Sequence, residues 1–286
     1  MSFRRKPRVS LKTPEQFGVM RRAGLLLARI HDEIEDRLRE GMTTADIDQI
    51  SRGIIDGAGA RSNFLGYHGF PATVCVSVNE EIVHGIPGTR VIREGDVVSV
   101  DAGCIVGGWH SDAARTHIVG RAKSDADREL VDVTHEAMWE GIAALAKATR
   151  VGEIGAAIED YVAERAGERI QHLEEFGGHG IGRAMHEPPD VMNFRTRDRG
   201  PKIMPGMALC IEPMLIQNDG EFEILDDDWT VVATKGGRAA HFEHSVAVTE
   251  SGIFVLSAVD GGKAELEKRG IEVAQEPSDS HTATGR

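Results

Sequence analysis

Val97-Val98-Ser99-Val100-Asp101-Ala102-Gly103-Cys104-Ile105-Val106, then Gly107-Gly108, then Trp109-His110-Ser111-Asp112-Ala113-Ala114-Arg115-Thr116-His117-Ile118-Val119, is the stretch on which the reading of this chain turns. Two runs flanked by valine and isoleucine and joined across a glycine pair read as a β-hairpin. With an even-numbered loop, positions 101 and 112 sum to an odd number, so both aspartates point to the same face. A two-residue loop at Val106-Gly107 sets them directly opposite, where Cβ atoms lie ~5 Å apart and like charges repel. Aspartate is also depleted in strands. Two carboxylates facing each other among valines need a cation or a shared proton. An odd-length loop instead turns one of them to solvent. The shared-proton alternative lacks its Asp-Thr/Ser-Gly signature, to which Asp101-Ala102-Gly103 is only a loose counterpart.

Outward from the hairpin, the element order is clear. Thr13-Pro14 with Gln16 is a capping box with proline at the first helical position, and it opens a helix. Phe17, Met20, Gly24, Leu27, Ile34 and Leu38 share one face of that helix, and Gly41 is expected to end it. A second helix runs from Thr43 or Thr44 to about Gly57. Val74 to Val78 reads as a strand. After the hairpin come a long helix over about 125–147 and a shorter one over about 152–166. Residues 208–216, 221–225, 230–233 and 242–248 read as strands. The order helix, turn, helix ending in Ala-Gly, then strands occurs twice. Ile47, Ile54 and Ala58-Gly59 match Ile154, Tyr161 and Ala166-Gly167 at an offset of 107 or 108. The expectation is a duplicated α+β unit with a shared antiparallel sheet, and ligand clefts commonly sit at such seams.

Three further residues carry chemistry. Gly177-Gly178-His179-Gly180-Ile181-Gly182 crowds glycine around one histidine, which lets backbone approach closely. A dinucleotide-loop reading fails, because the spacing is G-x-G-x-G without a βαβ frame. Glu212 sits in the apolar run 208–214 and Glu243 in the strand 242–248. A carboxylate there needs a partner, unless each merely guards a strand edge against aggregation. Together with Asp101 and Asp112 they make four carboxylates and one imidazole. Such a donor set suits Mn²⁺, Fe²⁺, Co²⁺ or Zn²⁺, and a pair of such ions activates water and polarises a carbonyl.

Composition limits the function classes. The chain has 286 residues, 41% of them hydrophobic, enough for a packed core, and no apolar run long enough to span a bilayer. The net charge of −13 disfavours nucleic-acid binding by the body of the protein, so no DNA or membrane partner is expected. Residues 1–12 carry five bases and no acid. They could touch RNA, but a short solvated arm is the preferred reading. Cys75, Cys104 and Cys210 are widely spaced with no CxxC, which indicates neither a zinc ribbon nor a disulfide framework. Arg4-Arg5 is not followed by an apolar leader segment, so a cytoplasmic location is expected. After Ser257 the chain turns Gly-Gly, charged and then Ser/Thr-rich, and a disordered tail over 258–286 is expected.

Taken together, Val83-His84-Gly85-Ile86-Pro87, Asp101-Ala102-Gly103, Trp109-His110-Ser111-Asp112, Gly178-His179-Gly180-Ile181-Gly182, Met185-His186-Glu187-Pro188-Pro189, Ile211-Glu212-Pro213-Met214 and Phe242-Glu243-His244-Ser245 resemble type I methionine aminopeptidases over about residues 13–257. Single motifs are shared with prolidases and creatinases. The combination of His84-Gly85-Ile86-Pro87 with Tyr67-His68-Gly69-Phe70-Pro71 is closer to the methionine enzymes. The resemblance implies the α+β pita-bread fold, creatinase/aminopeptidase-like, with a pseudo-twofold in agreement with the repeat. It implies that Asp101, Asp112, His179, Glu212 and Glu243 hold two divalent ions, with Co, Mn, Fe and Zn left open. It implies that Glu212 works on the attacking water, and that His84 and His186 steady the peptide and its tetrahedral intermediate. It places Tyr67, Phe70, Cys75, Met185 and Trp229 around the substrate methionine, for which aromatic, thiol and thioether groups are suited. Phe70 stands where the family often has tyrosine, and Met185 where an aromatic is common, so fine specificity is where a departure is expected.

The resulting expectation is a 13–257 catalytic domain that removes initiator methionine from nascent chains, prefers a small second residue, meets the ribosome transiently at most and acts as a monomer. Two alternatives are kept. An aminopeptidase P or prolidase carries an additional N-terminal domain, for which twelve residues leave no room. A non-catalytic relative of the same fold typically lacks metal ligands, and all five candidates are present here. His110 and His244, next to candidate ligands, are expected to support them.

Overall fold

A computed structural model describes residues 8–217 and 221–278. The first seven residues of the basic arm and the last eight of the tail lie outside the described residues. The helices form where the local signals place them. Thr13 and Thr43 each cap a helix through a complete capping box, with Gln16 and Asp46 reaching back to the cap backbone. The first two helices are α1 (Pro14–Arg37) and α2 (Thr44–Gly57). The long helix α3 (Asp125–Leu145) and the shorter α4 (Gly152–Ala166) follow. α1 does not run to Gly41. Leu38 is its C-cap in an extended conformation, and the Gly41 N–H is taken by the Ile92 carbonyl, so a tertiary bond ends the helix early.

Among the described residues the strands form one nine-stranded and two three-stranded sheets, all pairs antiparallel. The strands Val97–Val106 and Trp109–Ile118 pair in an unbroken register across Gly107-Gly108, both glycines at positive φ as such a tight turn demands. Alternation then sorts the hairpin. Val98, Val100, Ala102 and Cys104 pack beneath α1 with Leu27, Ile30 and Ile34, while Asp101 faces the other way. In the second half, α3 and α4 cover Leu209, Ile211 and Val246 with Leu130, Ile142, Ile154 and Ile158. Each such fully buried side chain contributes about 1.5–3 kcal/mol. The structure thus has two helix-pair-on-sheet halves sharing one sheet, the arrangement expected from the repeat.

Glu212-Pro213 breaks the run read as one strand. Ala208–Ile211 belongs to the large sheet, and Met214–Gln217 to a small one beside Ala239–His241. Proline has no N–H to donate and biases the residue before it, so the ladder cannot continue. The neighbouring chain makes the same crossing, from Ala239–His241 to Glu243–Thr249. Glu212 and Glu243 therefore sit where two chains pass together from one sheet to the other.

Both expected loose ends are tied down where they are described. Lys12 is buried, its Nζ 2.8 Å from Glu187 Oε2, and its backbone bonds Gly206. The tail folds back as far as residue 278. It forms α5 (Lys263–Lys268) and buries Leu266, Ile271 and Ala274. The buried Arg21 guanidinium donates to the carbonyls of Leu256, Ala258 and Val259 and pairs with Glu276 at 2.7 Å. Polar composition suggested disorder. One buried arginine that needs acceptors overrides it.

α1 crosses that segment at Gly24, where a Cβ would lie 2.0 Å from the Leu256 carbonyl oxygen. Alanine gains about 1 kcal/mol over glycine in helix propensity, but the obstruction is backbone, and overpacking costs about 1–3 kcal/mol. Gly24→Ala is expected to lower the midpoint of urea unfolding. An unchanged or raised midpoint would mean the contact gives way easily.

Candidate metal centre and pocket

The hairpin register places the first two carboxylates. Asp101 pairs with Ala114 and Asp112 with Gly103, so the two lie diagonally on one face, two residues apart along the ladder. The parity expectation holds; direct opposition does not, because the loop is Gly107-Gly108 rather than Val106-Gly107. Glu243 pairs with Ala114 from the other side. One residue beyond the pair His244↔Ile211, Glu212 continues the row opposite Glu243. The sheet thus aligns Asp101, Ala114, Glu243 and Glu212 across four chains, with the small Ala114 side chain leaving space among the carboxylates.

His179 joins from the strand Gly178–Gly180, and close packing explains its glycine neighbours. A Cβ on Gly178 would lie 2.2 Å from the Cys210 carbonyl oxygen, and one on Gly180 would lie 2.4 Å from that of Pro188. His179 Nδ1 is bonded to the Gly180 carbonyl at 2.9 Å, which makes Nδ1 the donor and frees Nε2 as a ligand atom. Nε2 lies 3.3 Å from Glu212 Oε1, and that oxygen has no hydrogen-bond partner.

The electrostatics are those of a site built for cations. Asp101 Oδ1, Asp112 Oδ1, Glu212 Oε1 and Glu243 Oε1 are all buried without a hydrogen-bond partner. Burial pushes the Asp101 carboxyl up to about 6, with His241 opposing the shift. Asp112, Glu212 and Glu243 are held well above the usual carboxylate range, first by burial and then by one another and Asp101. Burial lowers His179 and His84 to about 4, so both are neutral imidazoles at pH 7. Among the described residues no lysine or arginine lines the cavity. Asp101, Asp112 and Glu243 form one cluster of potential ligand atoms within 4.8 Å of one another; Glu212, His241 and Glu243 form another. Unpaired buried oxygens, an imidazole and no competing cation fit a pair of divalent metal ions.

The five candidate ligands and the seven candidate substrate-binding residues, Tyr67, Phe70, Cys75, His84, Met185, His186 and Trp229, all line one cavity of about 240 Å³. Its apolar end is aromatic and rigid. Phe70 meets Trp229 edge-to-face at 5.1 Å, and His84 lies 6.2 Å from Trp229. His84 itself is held at φ +61°, a strained conformation for a non-glycine residue and one that clusters at functional sites. Tyr67 Oη bonds His186 Nδ1 at 2.9 Å, which orients that ring, and His186 packs 4.4 Å from the His179 ring.

The sequence reading missed Phe64, Val83, Phe176, Met214 and His241 in the cavity wall. His241 was detectable, since it stands two positions before Glu243. The apolar four carry no local signal that separates them from ordinary core. His244 is not a supporting residue. Successive strand residues point to opposite faces, and its ring is turned to Ser257 Oγ at 2.8 Å and to Trp139. His110 does not line the cavity.

Known proteins match this chain over most of its length. The model of metallopeptidase family M24 matches residues 18–250. Methionine aminopeptidase 1 of Bacillus subtilis is 41% identical over 248 residues, 87% of this chain and 98% of that protein. Methionine aminopeptidase 1 of Mycobacterium tuberculosis is 42% identical over 253 residues, 87% and 95% of the two chains. The crystal structure of methionine aminopeptidase from Thermotoga maritima superposes with a TM-score of 0.83 at 35% identity, covering 87% of this chain and 99% of that one. The Xaa-Pro dipeptidase from Bacillus anthracis shares the fold at a TM-score of 0.67 and 24% identity, with 61% of its length covered.

Proposed function

The chain belongs to metallopeptidase family M24, and on that premise we propose that it releases the N-terminal methionine of nascent polypeptides by metal-dependent hydrolysis. The observation that carries the reading is the union, in one small cavity, of an apolar pocket and an unpaired carboxylate cluster. At about 240 Å³ the cavity is smaller than the ~300–1,000 Å³ usual for drug-sized ligands and suits one unbranched side chain. Tyr67, Phe70, Cys75, Met185 and Trp229 surround that side chain. The free amine and first carbonyl then meet Asp101, Asp112, His179, Glu212 and Glu243, the proposed metal ligands.

Two divalent ions supply, when bound, polarisation of the scissile carbonyl and a lowered pKa for water. The protein contributes placement and proton handling. Glu212, its carboxylate bracketed by His179 and His241, takes the proton of the attacking water and passes it to the departing amine. His186, its Nδ1 engaged by Tyr67, offers Nε2 to the tetrahedral oxygen, and His84, which lines the same cavity, steadies the peptide. The enclosing aromatics exclude bulk water. With the cavity taken up by the methionine side chain, a small second residue is favoured.

Methionine release from Met-Ala-Ser and Met-Leu-Ser tests this. Metal-dependent release is expected from both, faster from the first. No release from either rejects the reading, and cleavage of Xaa-Pro dipeptides instead restores the prolidase alternative. We further propose that the chain works as a monomer in the cytoplasm and meets the ribosome only transiently. No helix among the described residues is long and apolar enough to cross a membrane.

A further inference from the structure

We propose that His241 is a sixth protein ligand of the metal centre, its Nε2 binding the ion that Glu212 and Glu243 share, so that the site presents two imidazoles rather than one. This rests on the metal-centre reading above and goes beyond it.

The placement carries the argument. His241 is 3% exposed, and its Nε2 is a buried nitrogen with no hydrogen-bond partner. Such an atom costs about 1–3 kcal/mol unless something satisfies it. Nε2 lies 3.7 Å from Glu212 Oε2, too long for a hydrogen bond, and one ligand atom each from His241, Glu212 and Glu243 fall within 4.8 Å of one another. Three donors spaced that way can converge on a point between them. The two oxygens of Glu212 are thereby approached from two sides, Oε1 by His179 and Oε2 by His241.

The residue is also held like a ligand rather than like filler. Its N–H is accepted by Thr116 Oγ1 at 2.9 Å, and its carbonyl accepts from the same hydroxyl at 2.7 Å. Ser99 Oγ completes the chain of bonds to Thr116 at 2.8 Å. Ser99 and Thr116 belong to the hairpin that carries Asp101 and Asp112. The backbone of His241 is thus tied to the strands that set the carboxylate row, so the imidazole and the carboxylates keep one geometry. Fixed donors of this kind define a metal site.

The test counts coordinated nitrogens in the intact protein. Wild-type protein loaded with Mn²⁺, with and without ¹⁵N-histidine labelling, is examined by pulsed electron paramagnetic resonance. His241→Gln and His179→Gln are run alongside, with unfolding midpoints recorded. Two coupled imidazole nitrogens are expected in the wild type and one in each variant. Mn²⁺ affinity by calorimetry is expected to fall roughly 10-fold or more in His241→Gln, at or above the ~10–100-fold range that even outer partners of a ligand command. A wild type that binds its ions with one imidazole overturns the proposal and leaves the metal centre intact. A wild type that binds no divalent ion removes both. Because the count is made on unmodified protein, a poorly folding variant does not block the result.

Discussion

Glu243→Gln is expected to reduce peptide hydrolysis by about 10³-fold or more, about 4 kcal/mol of lost transition-state stabilisation at ~1.4 kcal/mol per decade, while making the metal-free protein more stable. Among the described residues it occurs in all three clusters of potential ligand atoms, with Asp101 and Asp112, with Glu212 and His241, and with His179 and Cys210. A neutral amide leaves the shape of the site nearly unchanged but removes one charge from its centre. Metal content should drop, and the carboxylate row loses the charge that both Asp112 and Cys210 feel. In the absence of metal the buried carboxyl is destabilising either way, because it must stay charged among its neighbours or hold a proton that the unfolded chain releases, so its replacement should raise the unfolding midpoint measured in EDTA. Stability and activity then move in opposite directions, as they do where a site stores unfavourable electrostatics for function. Metal analysis, hydrolysis rates and thermal unfolding in EDTA read the three quantities. A variant that keeps both metal and activity would falsify the assignment of Glu243.

Stabilisation by metal should grow as pH rises from 5.5 to 8. Asp101 is held at about 6, and Asp112, Glu212 and Glu243 well above the usual range, all through burial first. Unfolded, these groups titrate at about 4. Without metal, the folded state therefore keeps protons that the unfolded state has released. Its stability is fullest below pH ~4 as far as these groups are concerned, and is lost as pH rises through 6 and beyond. Each proton retained makes the slope steeper by up to ~1.4 kcal/mol per pH unit. Divalent ions reverse this, because they compete with those protons and neutralise the charges. Calorimetric melting with Mn²⁺ and with EDTA should show a gap between the two midpoints that is small at pH 5.5 and large at pH 8. A gap that stays constant or shrinks would place the ions elsewhere.

Much of this was legible because the relevant physics is local. A capping box is written in four consecutive residues, and Thr13 and Thr43 start their helices as read. Alternation in a hairpin needs only the turn, so Asp101 and Asp112 could be put on one face before any contact was known. The resemblance motifs added the pocket residues, and the cavity collects every one of them. Less legible were features that depend on what a segment meets. Lys12 and Glu187 pair across 175 positions of sequence. The segment after Ser257 looks like a tail in composition and is packed, as far as described, because Arg21 draws its carbonyls in.

The sequence by itself determined the donor types, their parity on the hairpin and the helices that flank the sheet, since each follows from side-chain chemistry and from the two- and 3.6-residue periods of the backbone. Only the tertiary structure decided which carboxylates share a row, that Glu212 and Glu243 stand where two chains change sheets, and that His241 enters beside them. Register between strands distant in sequence is set by whole-sheet packing and by where a proline interrupts the ladder, and no local pattern encodes the meeting of two such crossings at one point.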